Sequence, residues 1–144
     1  MSRISTQVSY GQRGSFRTRS RRRHLAVSRD IDASPDAAWE ILTDTTYWPA
    51  WGPSVTGVDC ADRVIRAGSR GRIETAFGMP LPFEITSCED FRWTWDVANV
   101  SATGHRVEAL DGGCCVVFEV PILATAYAPI CQRALGEIER LAEG

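Results

Sequence analysis

Ser28-Arg29-Asp30-Ile31-Asp32-Ala33-Ser34-Pro35-Asp36-Ala37-Ala38-Trp39-Glu40-Ile41-Leu42-Thr43-Asp44 changes period half-way along. Up to Ile31 the apolar residues Leu25, Val27 and Ile31 share one parity, which predicts a strand with a buried face. Beyond Ser34 the apolar residues Ala38, Trp39 and Leu42 fall at helical spacing. Ser34 is a good N-cap, Pro35 suits the first helical position, and Asp36 complements the positive end of the helix. A helix from about Pro35 to Asp44 results. Tyr47-Trp48-Pro49-Ala50-Trp51-Gly52-Pro53 then leaves room for one more short helix before its prolines and glycine impose a turn.

After this turn the pattern alternates almost to the end. A strand is predicted near Val55 to Asp59. Past Ala67-Gly68, Ile73, Thr75 and Phe77 alternate with Arg72, Glu74 and Ala76 until Gly78-Met79-Pro80 breaks the run. Leu81, Phe83 and Ile85 form the next apolar face, and Phe91, Trp93, Trp95 and Val97 the one after. Gly104 to Leu110, the turn Asp111-Gly112-Gly113, and Cys114 to Val120 make a final hairpin, which Pro121 ends. Ile130, Ala134, Leu135, Ile138 and Leu141 then recur at helical spacing, with Pro129 beginning or bending the regular part. The expected architecture is α+β: seven antiparallel strands, two short helices after the first of them, and one long C-terminal helix.

With 144 residues, 44% of them hydrophobic, one domain with one core is expected, over residues 24–144. Residues 1–23 hold seven Arg and no acid, show no apolar periodicity, and are expected to form a disordered tail. Ser20-Arg21-Arg22-Arg23 has the look of an export signal, but no apolar segment follows, so export is rejected. The remainder carries nine Arg against 18 Asp and Glu, a formal charge of -9 that should repel nucleic acid. All 16 basic residues are Arg, which fits either a GC-rich genome or a high-salt cytoplasm. The five cysteines (60, 88, 114, 115 and 131) show no metal-ligand spacing and read as reduced thiols, hence a cytoplasmic location. No run of apolar residues is long enough to span a bilayer.

The order of elements, together with Ser28 to Pro35 running into Ala38 to Asp44, Trp48-Pro49-Ala50-Trp51-Gly52-Pro53, and Gly104-His105 before Asp111-Gly112-Gly113, resembles the SRPBCC or START-like helix-grip superfamily. The nearest branch is the polyketide cyclase/dehydrase-like proteins, and birch-pollen allergens share the fold. The resemblance implies a curved seven-stranded sheet gripping the long C-terminal helix, with space for an apolar ligand between them. It does not imply one reaction, because lipid carriers, hormone receptors, cyclases and chaperone activators share the fold.

Hydrolytic and nucleotide motifs are absent, and with only His24 and His105 there is no histidine cluster, so neither metal nor cofactor is expected. The aromatic set Trp39, Phe77, Phe83, Trp93, Trp95 and Phe118 is expected to converge on the interior, either as a filled core or as a pocket wall. His105 shares a parity with Val107 and Ala109 and should face inward, as a general acid or base or as a satisfied core histidine. Arg29 has the inward parity to meet an anionic ligand, although the end of its strand would place it in solvent, the placement expected here. Tyr127 and Thr75 are weaker candidates for ligand hydrogen bonds. Glu119 and Asp96 qualify as bases only if their strands turn those faces inward, and alternation turns Asp96 away.

Two further classes of function stand beside ligand binding with cyclase or dehydratase activity. One is a protein-interaction module whose interior is simply filled. The other is a basic arm, residues 1–23, binding RNA or an anionic membrane.

Overall fold

The computed structural model describes residues 4–10, 23–52, 54–76 and 78–144. Its elements are β1 (Ile4–Tyr10), β2 (Arg23–Ile31), α1 (Pro35–Thr43), a 3-10 turn (Thr45–Tyr47), α2 (Trp48–Trp51), β3 (Val55–Cys60), β4 (Arg70–Thr75), β5 (Leu81–Glu89), β6 (Arg92–Val97), β7 (Val100–Leu110), β8 (Gly113–Pro121), a second 3-10 turn (Ile122–Tyr127) and α3 (Ala128–Glu143). The strands form one antiparallel sheet in the order β1-β2-β8-β7-β6-β5-β4-β3. Register shifts at Val55/Gly57, Ile85/Ser87 and Thr94/Asp96 bend it around α3. This is the expected helix-grip architecture, its seven anticipated strands being β2 to β8.

The eighth strand corrects the sequence reading. Ile4–Tyr10, assigned above to a disordered tail, pairs along β2 from Ile4 opposite Arg29 to Tyr10 opposite Arg23. Without it, β2 would present an unpaired backbone row, which any extended segment can satisfy. Ile4, Thr6, Val8 and Tyr10 also alternate with Ser5, Gln7 and Ser9, a period of two in residues that favour strands. The rest of the predicted tail, residues 1–3 and 11–22, lies outside the described residues.

Helix α1 begins where Ser34 Oγ accepts from the Ala37 amide at 3.1 Å. Its C-terminal carbonyls are met by tryptophans: Trp48 Nε1 donates to Leu42 O at 2.9 Å and Trp51 Nε1 to Ile41 O at 3.0 Å. Asp44 sets the intervening turn by accepting from the Thr46 amide at 3.0 Å and from Arg63 Nη1 at 2.9 Å. Trp-Pro-Ala-Trp is therefore the stop of α1 as well as a helix of its own.

Helix α3 starts at Ala128 with Pro129 in its first turn, and Cys131, Ala134, Leu135 and Ile138 form its buried stripe. It is clamped to β2 at its far end. Arg29 meets Glu139 Oε1 at 2.6–2.7 Å, and the Asp32 amide donates to Glu143 Oε2 at 2.8 Å. The expected solvent placement of Arg29 is thus corrected: the inward parity holds, and the partner is α3. Phe91 is a second correction. It is not part of the β6 face but sits with Asp90 in a two-residue turn, at φ 61° and 54° respectively, and packs on Trp39 with ring centroids 5.3 Å apart.

On the sheet face away from α3, Glu119 of β8 receives Arg92 Nη2 and Arg106 Nη1, each at 2.6 Å. Gly104 of β7 makes the room, since a Cβ there would stand 2.6 Å from Glu119 Oε1. Burial alone would raise the Glu119 carboxyl, but hydrogen bonds and charge from the two guanidinium groups hold it below the usual carboxylate range. Among the described residues no helix is long and apolar enough to cross a membrane, and no group of His, Cys, Asp or Glu is gathered to hold a metal.

Candidate ligand cavity

The site is built on three adjacent strands and closed by α2 and α3. Pairing places Trp93 of β6 opposite His105 of β7, and His105 opposite Phe118 of β8. All three side chains lie on the inner face of the sheet, and each is at most 3% exposed. The β6/β7 register slips only beyond Thr94, where β7 carries one more residue than β6 between the pairs Thr94–Gly104 and Asp96–Ser101. Thr103 and His105, two residues apart, therefore both point inward, while Ser101 and Gly104 look outward.

His105 lies in a box of rings. Trp93 stacks on it with centroids 3.9 Å apart, Phe118 meets it edge-on at 4.8 Å, and Trp51 stands at 6.2 Å. Its Nε2 is 3.0 Å from Thr103 Oγ1, which also receives Trp95 Nε1 at 3.3 Å. Among the described residues, His105 Nδ1 and Trp93 Nε1 are buried nitrogens without a partner of hydrogen-bonding geometry. Burial pushes the imidazole down to about 3, and the favourable effects of the Trp93 backbone and of Glu119 do not offset it. His105 is neutral across the physiological range.

Between this box and α3 remains a cavity of about 50 Å³, open to solvent at its mouth. Burial grades the lining. Trp48, Trp51, His105, Phe118, Cys131 and Ala134 are the buried floor and walls, and Ser54, Val55, Tyr127 and Ile130 form the partly exposed mouth. Ser54 Oγ and the Tyr127 hydroxyl lie 3.3 Å apart across it. Cys131 is no nucleophile here, since burial pushes its thiol up to about 12.

Residues 22–143 match the family described as polyketide cyclase/dehydrase and lipid transport. The chain belongs to that family. The fold also has neighbours among solved structures. A protein of Nitrosomonas europaea, solved by crystallography, is 15% identical with a TM-score of 0.65 over 83% of this chain and 94% of its own. The KanY protein, solved by NMR, is 15% identical with a TM-score of 0.67 over 85% and 99%. Ara h 8.0201, a crystal structure, is 10% identical with a TM-score of 0.60 over 97% and 96%. At these identities the likeness is one of fold. A search of curated proteins gives no match.

In this cyclase/dehydrase-family chain the sequence-predicted residues divide into three groups. Trp95, His105, Phe118 and Tyr127 line the cavity. Trp93 and Phe83 stand behind it, packed on Trp48 with centroids 5.4 and 5.5 Å away, and fill the space toward β5 instead of bounding it. Trp39 turns to Phe91, outside the lining, and Phe77 is not among the described residues. Of the weaker candidates, Thr75 is engaged with the Met79 carbonyl at 3.1 Å outside the cavity. Asp96 lies on the outer surface near Arg70 and Glu84, and Glu119 faces outward into its ion pairs. Sequence reasoning missed Trp48, Trp51, Ser54, Val55 and Thr103 as lining. Thr103 was within reach, since it has the parity of His105. The tryptophans were visible as a motif, but nothing in their spacing says that they cross back over α1 to reach the sheet.

Proposed function

We propose that the chain binds a small apolar or aromatic molecule between the sheet and α3, in the cavity bounded by Trp48, Trp51, Trp95 and Phe118. The observation that carries this reading is a hydrogen-bonding pair, Thr103 and His105, in the lining of a hollow that is apolar apart from the Ser54 and Tyr127 hydroxyls at its mouth. His105 orients a ligand better than it moves a proton. A general base works best with a pKa near the operating pH, and an imidazole at about 3 is too weak a base for that role. Cyclase or dehydratase chemistry through His105 therefore requires the ligand itself to change its surroundings. The test is native mass spectrometry of the purified protein for retained small molecules, followed by tryptophan-fluorescence titration. Binding that weakens in Trp95→Leu, by about the 0.5–1.5 kcal/mol of a lost aromatic contact, supports the reading. Saturation with no spectral change in any tryptophan refutes it.

The tight packing favours one competitor. A cavity of about 50 Å³, open at its mouth, is well below the roughly 150 Å³ of a cavity that takes up benzene. An interaction module with a filled interior fits that number, and it predicts that no small molecule is retained and none alters the emission.

A further inference from the structure

Granting that the cavity binds a small molecule, we propose that its ligand is an uncharged single-ring compound carrying a hydroxyl or carbonyl oxygen, with that oxygen on Thr103 and the ring in the mouth. Three features of the lining lead there, concerning charge, hydrogen bonding and size.

Among the described residues no Asp, Glu, Arg or Lys lines the cavity. The arginines nearest the site along β2, β6 and β7 are engaged elsewhere: Arg29 with Glu139, Arg92 with Glu119, and Arg106 with Glu119 and Glu108. His105 is neutral. A carboxylate entering here would lose its water and meet no counter-charge, a cost large enough to exclude it.

Beside His105 the lining nevertheless holds an open hydrogen-bonding position, on Thr103. A threonine hydroxyl offers one donor and two acceptor sites. Trp95 Nε1 uses one acceptor site of Thr103, and His105 Nε2 uses one of the other two. Which one depends on the imidazole tautomer, and the Trp93 backbone, which acts on the ring, makes no bond of full hydrogen-bonding geometry to Nδ1 that would lock that choice. If Nε2 accepts, Thr103 keeps a lone pair for a ligand hydroxyl. If Nε2 donates, Thr103 keeps its proton for a ligand carbonyl. The pair thus serves either oxygen, and in both cases an uncharged one.

Size follows from the walls. Trp48 and Trp51 are held by their bonds to the Leu42 and Ile41 carbonyls, so the enclosed space does not widen on that side. At about 50 Å³, against the roughly 150 Å³ of a cavity that encloses benzene, the hollow does not enclose a whole ring, so part of the ring lies in the mouth against Val55, Tyr127 and Ile130.

The experiment is fluorine NMR of para-fluorophenol, para-fluoroacetophenone, para-fluorotoluene and para-fluorobenzoate with the full chain near neutral pH. It is repeated on Thr103→Val and Thr103→Ser. The wild type should hold the phenol and the ketone about fivefold more tightly than the toluene, the worth of one hydrogen bond. The benzoate should bind at least about a hundredfold more weakly than the phenol. Thr103→Val should abolish the preference for oxygen with toluene binding retained, and Thr103→Ser should restore it. Equal binding of phenol and toluene by the wild type, a preference that survives Thr103→Val, or benzoate matching phenol would each overturn the proposal and leave the cavity reading standing. Failure of all four probes to bind would overturn both.

Discussion

Acidification interrogates His105 more directly than any substitution. The buried imidazole is held near 3, whereas the unfolded chain takes up its proton at about 6.5. Between those values the unfolded state binds one proton more than the folded state, so stability falls as pH falls. The contribution is fully present above the unfolded value. From pH 7 to pH 5 the linkage amounts to about 2 kcal/mol, or roughly 4–8 °C in Tm for a chain of this size. Glu119 does not confuse this window: its folded pKa is depressed, so its contribution is lost only as pH drops below the ordinary carboxylate range. The measurement is urea denaturation of the wild type and of His105→Gln at several pH values between 5 and 7, with the imidazole titration followed by NMR. The wild type should lose about 2 kcal/mol more than the variant across the interval. Parallel curves, or an imidazole that titrates above pH 5 in the folded protein, would refute the assignment of a neutral, desolvated histidine.

Trp48→Phe leaves the Leu42 carbonyl without its donor and a gap beside Trp93, and should cost about 2–4 kcal/mol in chemical denaturation. Gly104→Ala drives a Cβ against Glu119 and should lower stability by about 1–3 kcal/mol, with Glu119→Ala in the same chain relieving part of the loss. Ala98 occupies a two-residue turn at φ 52°, so Ala98→Gly should raise the denaturation midpoint by about 0.5–1 kcal/mol of stability. A chain beginning at Arg23 lacks β1 and exposes the backbone row of β2. Its Tm should fall by several degrees, and an unchanged melt would show that β1 adds nothing to the fold.

Most of the architecture was legible because burial writes a period into a sequence. Leu25, Val27 and Ile31, the β6 tryptophans, and the stripe on α3 all face the core as their spacing requires. Three failures have physical causes. Ile4–Tyr10 alternates, but two of its four strand-favouring residues are Thr and Tyr, so a reading tuned to apolar residues passes over it. Phe91 continues the parity of Trp93 but is the second residue of a hairpin turn with positive φ, a conformation in which glycine or asparagine is expected. Arg29 has the right parity for the interior, and its counter-charge comes from Glu139, 110 residues away, which no local pattern reveals. The candidate site was legible as far as its strands reach. His105, Trp95 and Phe118 follow from alternation, whereas the opposite wall depends on where α2 crosses.

That wall decides how the cavity can respond to an occupant. Widening it toward α2 would unpair the Leu42 and Ile41 carbonyls, each at about 1–3 kcal/mol, and would loosen the end of α1 as well. Widening it toward β5 meets Trp48, Trp93 and Phe83 already in contact. The remaining side is the mouth, where Ser54 and Tyr127 share a single long contact of 3.3 Å near solvent. The 3-10 segment carrying Tyr127 is interrupted at Ala124, whose φ of -110° and ψ of 27° leave the helical range. An occupant larger than the enclosed hollow therefore gains room by displacing Tyr127 and the 122–127 segment. Selection by size then resides in these residues, and selection by chemistry in Thr103 and His105.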